Sequence, residues 1–251
     1  MKKLGAGGFG KVYLAKDEES GEYVALKVFK VDKETEEKVL NSFKAELAVA
    51  SEKNLCHPNV LVPENAGYLP IMSKGQRVSK DLYFNVSKLA ENKEAFDFVA
   101  AAGGLQERYA RLLFKQLISA VAFIHKKKLA HRDIKLDNCF LDADCVLKLA
   151  DFGLAKFYSS RKVLKTQVGT LQYMAPEMFT TESYEGSPVD IFACGTAIFM
   201  MLTGQFAFCS AHDNLYQHFH HDAHSYMKSR NLSASDEFLD LVLRMTVEDP
   251  A

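Results

Sequence analysis

The stretch His131-Arg132-Asp133-Ile134-Lys135-Leu136-Asp137-Asn138 carries more chemistry than any other part of the chain. Asp133 can accept a hydroxyl proton or orient a hydroxyl for attack. Lys135, two residues on, can neutralise charge on a transferred phosphoryl group, and Asn138 offers a neutral oxygen to a magnesium ion. Asp151-Phe152-Gly153 follows at a spacing that leaves room for two short strands, Cys139–Leu141 and Val146–Leu149, and Asp151 would be the main carboxylate on that ion. Phosphoryl transfer is mostly positioning and charge neutralisation. Two oxygen-donor metal ligands, an ammonium and an aligning carboxylate are what it requires.

Toward the N-terminus, Gly5-Ala6-Gly7-Gly8-Phe9-Gly10 fits G-x-G-x-x-G. Glycines let backbone amides approach phosphates closely, but dinucleotide-binding folds share the pattern and a plain hairpin turn also satisfies it. The following residues separate these readings. A dinucleotide site needs a helix directly after the glycines, whereas Lys11-Val12-Tyr13-Leu14-Ala15 alternates like a strand. With a turn at Glu19-Ser20-Gly21 and a second strand over Tyr23–Phe29, a strand–turn–strand flap over nucleotide phosphates fits better. Lys27 lies in that second strand, on the same face as Ala25. Between Lys33 and Lys53, Leu40, Phe43, Leu47 and Ala50 fall at helical spacing, and Glu46 shares their face. A carboxylate pointing inward needs a partner, and Lys27 is the natural one. Such a pair would hold the ammonium toward two phosphates of a nucleotide.

Further short strands are expected near Val60–Val62 and Leu82–Val86. After Ala90 the pattern is helical. Leu105 to His125 sets Tyr109, Leu112, Leu113, Gln116, Leu117, Ala120, Val121 and Ile124 on one face. The apolar run from Ile191 to Leu202 reads as a buried core helix, too short to span a bilayer. A small sheet-rich unit thus precedes a larger helix-rich one, with a join near Leu89–Lys93 and a cleft that suits a ligand. The net charge of −1 gives no sign of a nucleic-acid partner or an anionic membrane surface. Five cysteines without a CxxC pair argue against a disulfide framework or zinc ribbon and for a reducing compartment. The opening MKKLGAGGFG lacks the apolar stretch of a signal peptide. His212, His218, His220, His221 and His224 have spacing that can bind a transition metal, but the stretch lacks the apolar pattern of a rigid site and reads as a solvated loop or helix.

The order GAGGFG, Val24-Ala25-Leu26-Lys27, Glu46, HRDIKLDN, Asp151-Phe152-Gly153 and Ala175-Pro176-Glu177 resembles that of protein kinase catalytic domains over nearly the whole chain. Lys135 after Asp133, with Gly169-Thr170 before Tyr173, resembles the serine/threonine branch, with a lean toward the calcium/calmodulin-dependent or AMP-activated-like group. The resemblance implies an α+β, bilobal fold: a small antiparallel-sheet N-lobe with one helix over about 1–87, a hinge over about 88–93, and a larger, mainly helical C-lobe over about 94–251. It implies ATP and Mg2+ as cofactors, protein substrates with Ser/Thr acceptors, and an upstream activating kinase or autophosphorylation. It implies no nucleic-acid partner and no membrane insertion, and a cytoplasmic or nuclear location.

Residue by residue, the resemblance assigns nucleotide contacts to Leu4, Gly5, Ala6, Gly7, Gly8, Phe9, Gly10, Val12, Ala25, Lys27, Glu46, Ser87, Ala90, Phe140 and Asp151. Val86–Asn92 would be the hinge that meets adenine, with Ser87 guarding the back of the pocket and Lys88 where relatives often carry an acid. Thr170 would contact Asp133 and Lys135. Asp190 would brace the backbone of the catalytic loop. Thr166 stands where many relatives are phosphorylated for activation, with Arg132 and Lys156 able to receive the phosphate. Glu94 and Asp137 match acids that face substrate arginines, and Leu171 and Met174 would line an apolar slot for the residue after the acceptor. Silent relatives lack one or more of Lys27, Glu46, Asp133, Asn138 and Asp151. All five are present here, which favours activity over a silent scaffold. The chain ends at Asp249-Pro250-Ala251, where the family continues with an arginine that pairs with the acid of Ala-Pro-Glu and a last helix. The expectation is a truncated C-terminus, a Glu177 without its partner, and greater stability for an extended form.

Overall fold

Val12 and Leu14, and Val24, Leu26 and Val28, recur at every second position, which suits adjacent strands of a pleated sheet. A computed structural model describes residues 2–31, 34–73, 76–92, 94–158, 164–211 and 213–247. Strands β1 (Lys2–Gly7), β2 (Gly10–Lys16) and β3 (Tyr23–Phe29) form an antiparallel meander. Its second turn is held by Asp17 Oδ1, which accepts from the backbone N–H of Glu19 and Ser20, and by Gly21 at φ +74. Helix α1 (Glu36–Ala50) leads to β4 (Asn65–Ser73) and β5 (Gln76–Lys88), giving the sheet order β1-β2-β3-β5-β4.

The register fixes which side chains share a face. Ala25 stands opposite Ser87 and Lys27 opposite Asn85. Successive residues alternate faces, so Ala25, Lys27 and Phe29 point to the same side as Tyr83, Asn85 and Ser87. Helix α1 packs on that side. Phe43 meets Phe29 at 5.5 Å and Tyr83 at 4.9 Å between ring centroids, and Phe29, Val39 and Phe43 make a small core. The buried face of α1 is Val39, Ser42, Phe43, Glu46 and Val49, whereas Leu47 is exposed. The expected face is therefore turned by about one position. Glu46 points inward as expected, and the shift comes from Ser42, Val39 and Val49 turning inward in place of Leu40, Leu47 and Ala50.

The expected strand at Val60–Val62 is only a bridge from Val60 to Leu149. The strand of this region is β4, which apolar alternation did not reveal because Gly67 and Pro70 interrupt it. Proline is tolerated there because β4 lies at the edge of the sheet.

Helix α2 (Ala95–Ala102) and helix α3 (Glu107–Lys126) begin the second lobe. α3 buries Ala110, Phe114, Leu117, Ala120, Val121 and Ile124. Tyr109 and Leu112, expected inward, are 48% and 57% exposed, and the guanidinium of Arg108 lies over the Tyr109 ring. A β6 (Leu129–Ala130) and β9 (Lys156–Phe157) pair and a hairpin of β7 (Cys139–Leu141) and β8 (Leu147–Leu149) follow α3. The hairpin is the one expected from sequence; the β6–β9 pair is too short for periodicity to show. After the short α4 (Glu177–Thr180), helix α5 (Gly186–Thr203) runs through the core. With 18 residues α5 is long and apolar enough to cross a membrane, which corrects the expectation on length, but 78% of it is buried inside the protein. It serves as the core helix, flanked by α3 and α8 (Asp236–Met245). Glu177 is half-buried at the start of α4 and, against expectation, is not without a partner, as suits a carboxylate taken partly out of water.

The linking segment departs from β5 after Lys88. Asn92 pins it to the second lobe: its N–H donates to Leu141 O at 3.1 Å and its Nδ2 to Asp142 O at 2.6 Å. Lys93 lies outside the described residues.

Candidate active site

β3, α1 and the loop after β8 converge on one ammonium. Lys27 Nζ lies 2.6 Å from Glu46 Oε1 and 2.9 Å from Asp151 Oδ1. Burial disfavours the charged lysine, but the charges of Glu46 and then Asp151 outweigh it and hold its pKa above the ordinary value. Burial would raise the Asp151 pKa, and the Lys27 charge overrides this and lowers it. Glu46 is 2% exposed, and burial opposed by Lys27 and reinforced by the Asp151 charge pushes its pKa up to about 7. One cation thus serves two carboxylates, and the more deeply buried one holds its charge less firmly. The second oxygen of Glu46 accepts from Asn85 Nδ2.

The catalytic-loop candidates form a closed set. Thr170 Oγ1 donates to Asp133 Oδ1 at 2.8 Å and accepts from Lys135 Nζ at 2.8 Å. Lys135 Nζ also lies 2.9 Å from Asp133 Oδ2. Asn138 Nδ2 donates to the Asp133 carbonyl at 2.8 Å and to Oδ2 at 3.1 Å. The amide nitrogen of Asn138 is thereby committed to Asp133, which turns its oxygen the other way, as a metal-ligating asparagine requires.

Asp190, 1% exposed on α5, anchors this loop from below. It accepts from the backbone N–H of His131 at 2.9 Å and of Arg132 at 2.8 Å, and from His125 Nε2 at 2.8 Å. Arg132 has φ +66 and Asp151 φ +60, a region that costs a non-glycine residue energy and persists where surroundings over-determine it. His131 Nε2 donates to Ala150 O at 3.0 Å, and its ring meets Phe152 edge-on at 4.9 Å. The two strained loops are thus tied together through one buried imidazole. Gly169, at φ +124, passes so close that a Cβ would meet Arg132 O at 2.8 Å.

The glycine stretch shows two kinds of glycine. A Cβ on Gly10 would run into the Val28 carbonyl, so Gly10 is needed by the sheet. A Cβ added at Gly5, Gly7 or Gly8 would meet nothing within 4 Å, and none has positive φ. The fold does not demand glycine at those three positions, whereas a phosphate approached by backbone amides does. Leu4 and Val12 flank this turn on β1 and β2, and Phe9 tucks against the Phe29–Val39–Phe43 core. Ala25 and Ser87 face each other across β3 and β5, and Phe140, in the middle of β7, bridges Glu94. Ala90 follows β5 in the linking segment. The residues present therefore fit a nucleotide under the glycine turn and a magnesium ion at Asn138 and Asp151. Among the described residues, no group of three or more His, Cys, Asp or Glu could hold a metal by itself. This covers His218, His220, His221 and His224, which lie on or beside α6 (Asn214–His221) and α7 (Ala223–Ser229); His212 lies outside the described residues.

Thr166 is exposed, and its carbonyl accepts from Tyr184 Oη at 2.7 Å. Arg132 Nη1 reaches the same hydroxyl at 3.5 Å, while its Nε donates to Leu154 O at 2.8 Å. Tyr184 thus links Arg132 to the Thr166 backbone, and Lys156 is exposed on β9. Glu94 has a raised pKa, from burial and then from the charges of Asp137 and Asp97, opposed by Lys135. Glu94, Asp137 and Asp97 therefore share an acidic surface beside the catalytic loop. Leu171 is 48% exposed, but Met174 is buried at 7%, so only Leu171 offers an open apolar face. Sequence reasoning missed Asn85, His125, Tyr184 and Asp97. Asn85 alone left a local signal, as a polar residue two positions before Ser87 in an apolar strand.

A lysine paired to a helix carboxylate, a braced His-Arg-Asp loop and an Asp-Phe-Gly turn, drawn together through Asp151 and His131, are the arrangement of a protein kinase domain. The model of the protein kinase domain matches residues 1–251, and the chain belongs to that family. It is 36% identical over 212 residues to CBL-interacting serine/threonine-protein kinase 9 of Arabidopsis thaliana, a match covering 82% of this chain and 44% of that protein. It is 34% identical to NUAK family SNF1-like kinase 1 of Homo sapiens, covering 83% of the chain and 30% of the relative. It is 33% identical to serine/threonine-protein kinase SAPK3 of Oryza sativa subsp. indica, covering 83% and 58%. Two of these are serine/threonine-protein kinases by name and the third an SNF1-like kinase, in line with the AMP-activated-like lean. The matched stretch spans between 30% and 58% of these relatives' own length.

Proposed function

We propose that this domain transfers the γ-phosphate of ATP to serine or threonine hydroxyls of proteins. The observation that carries the reading is the set Asp133–Lys135–Thr170–Asn138, in which each polar atom that would face the acceptor is held by a neighbour. ATP with magnesium supplies the phosphoryl group and neutralises its charge. Lys27, held by Glu46, would meet the phosphates under the glycine turn. Asn138 and Asp151 would hold the metal. Asp133 takes or aligns the proton of the acceptor hydroxyl, whose oxygen bonds to phosphorus as the bond to the ADP oxygen breaks. Lys135 offsets charge on the transferred group. Adenine would lie between Leu4, Val12 and Ala25 above and Phe140 below, against Ser87 and Ala90.

Phosphorylation of Thr166, by an upstream kinase or by the domain itself, would draw on Arg132, already connected to the Thr166 segment through Tyr184, and on Lys156. The acidic surface of Glu94 and Asp137 supports a preference for basic residues before the acceptor, with Leu171 meeting the residue after it. The test is a peptide array phosphorylated with labelled ATP: arginine-flanked serine and threonine peptides take up label, and selection of acidic or proline-directed peptides overturns the substrate reading. Mass spectrometry of the active protein should find phosphate on Thr166.

A further inference from the structure

Asn85 has no part in the motif pattern, yet it is 3% exposed in the middle of β5, between Phe84 and Val86. It stands opposite Lys27 in the β3–β5 ladder, and both side chains reach toward α1. Lys27 takes Oε1 of Glu46, and Asn85 Nδ2 donates to Oε2 of the same carboxylate. A carboxylate has about four acceptor positions, and in a dry setting each oxygen needs a donor. One lysine leaves Oε2 unserved. A polar side chain at this point of an apolar strand is costly unless it serves the group it touches.

The geometry points to Asn85 as a positioning residue for phosphate transfer, which clamps the second oxygen of Glu46 and so fixes Lys27 between Glu46 and Asp151. Two adjacent strands then grip one side chain of α1. Rotation of the carboxylate, which would leave Lys27 to Asp151 alone, breaks a bond on each side. Phe43, one turn before Glu46, packs on Tyr83 of β5, so the polar clamp and the aromatic contact hold the same helix to the same strand. The inference rests on the kinase reading above.

The test is a double-substitution cycle of Asn85→Leu, which keeps the volume and removes the donor, and Glu46→Leu. Thermal unfolding reads the contact, and kcat/KM for ATP reads its use. With Glu46 present, Asn85→Leu should lower kcat/KM by about 10- to 100-fold, the range typical of residues that orient a functional group. In the Glu46→Leu background it should change kcat/KM by less than about twofold, and the melting shifts should be non-additive by about 2–4 °C. Additive melting shifts, or equal kinetic losses in both backgrounds, overturn the positioning role and reduce Asn85 to core filling. Equal rates for the parent and Asp133→Asn overturn the kinase reading and Asn85's part in it, whatever the unfolding cycle gives.

Discussion

Replacing Asp190 by asparagine removes one acceptor from the most buried charged anchor of the catalytic loop. Three donors converge on this carboxylate: the N–H groups of His131 and Arg132 and the ring of His125. An asparagine keeps one oxygen and turns the other into an NH2 group. If its oxygen takes the Oδ2 place, the Arg132 N–H faces a second donor; the other way round, both histidine donors do. Hydrogen bonds to a charged group contribute about 1.5–3 kcal/mol, and a buried donor left alone costs about 1–3 kcal/mol. These overlap, so Asp190→Asn should destabilise the domain by about 2–4 kcal/mol. At about 2–4 °C per kcal/mol for a chain of this size, the melting temperature should fall by about 4–16 °C. Arg132 keeps φ +66 only under this restraint. Its release displaces the neighbouring Asp133, so kcat should fall at least about tenfold at temperatures where the variant is folded. Differential scanning calorimetry and steady-state kinetics read the two effects. A melting point within about 2 °C of the parent with unchanged kcat would refute the bracing argument.

The two kinds of glycine make a paired prediction. Gly10→Ala should destabilise the fold by about 1–3 kcal/mol through its clash with Val28, whereas Gly7→Ala should leave the melting point unchanged and raise KM for ATP. Thr170→Val should lower kcat by about 10- to 100-fold with little change in KM for ATP, because it removes the hydroxyl that holds Asp133 Oδ1 and Lys135, leaving only their direct pair, and touches no nucleotide contact. The Glu46 pKa of about 7 gives a pH dependence. The charged carboxylate holds Lys27, so kcat/KM for ATP should fall as pH drops through about 7. Glu46→Gln, with no proton to take there, should lack that inflection; its persistence in the variant would assign the limb to another group.

The catalytic set was legible because its chemistry restricts residue types at short spacing: Asp133, Lys135, Asn138 and Asp151 lie within 19 positions of one another, and the β7–β8 hairpin fills the gap between them. Lys27–Glu46, Thr170–Asp133 and the bracing by Asp190 were also legible, through motif order, but tertiary partners outside any motif were not. His125 and Asp190 are 65 residues apart, and Arg132 and Tyr184 are 52 apart. The buried face of α1 was offset from the expected one because Ser42 turns inward and Leu47 outward, and Tyr109 and Leu112 show the converse, apolar side chains of α3 left exposed. Asn85 was passed over because its neighbours set the character of β5, and only the register opposite Lys27 shows what it touches.

The central claim is that Asp133, held by Thr170, Lys135 and Asn138, enables phosphate transfer to a hydroxyl. Its most direct test is the rate of label transfer from γ-labelled ATP to an arginine-flanked serine peptide by the parent chain and by Asp133→Asn, both checked for folding. Transfer by the parent and a loss of about 100-fold or more in the variant is the predicted result. Equal rates from the two proteins would contradict it.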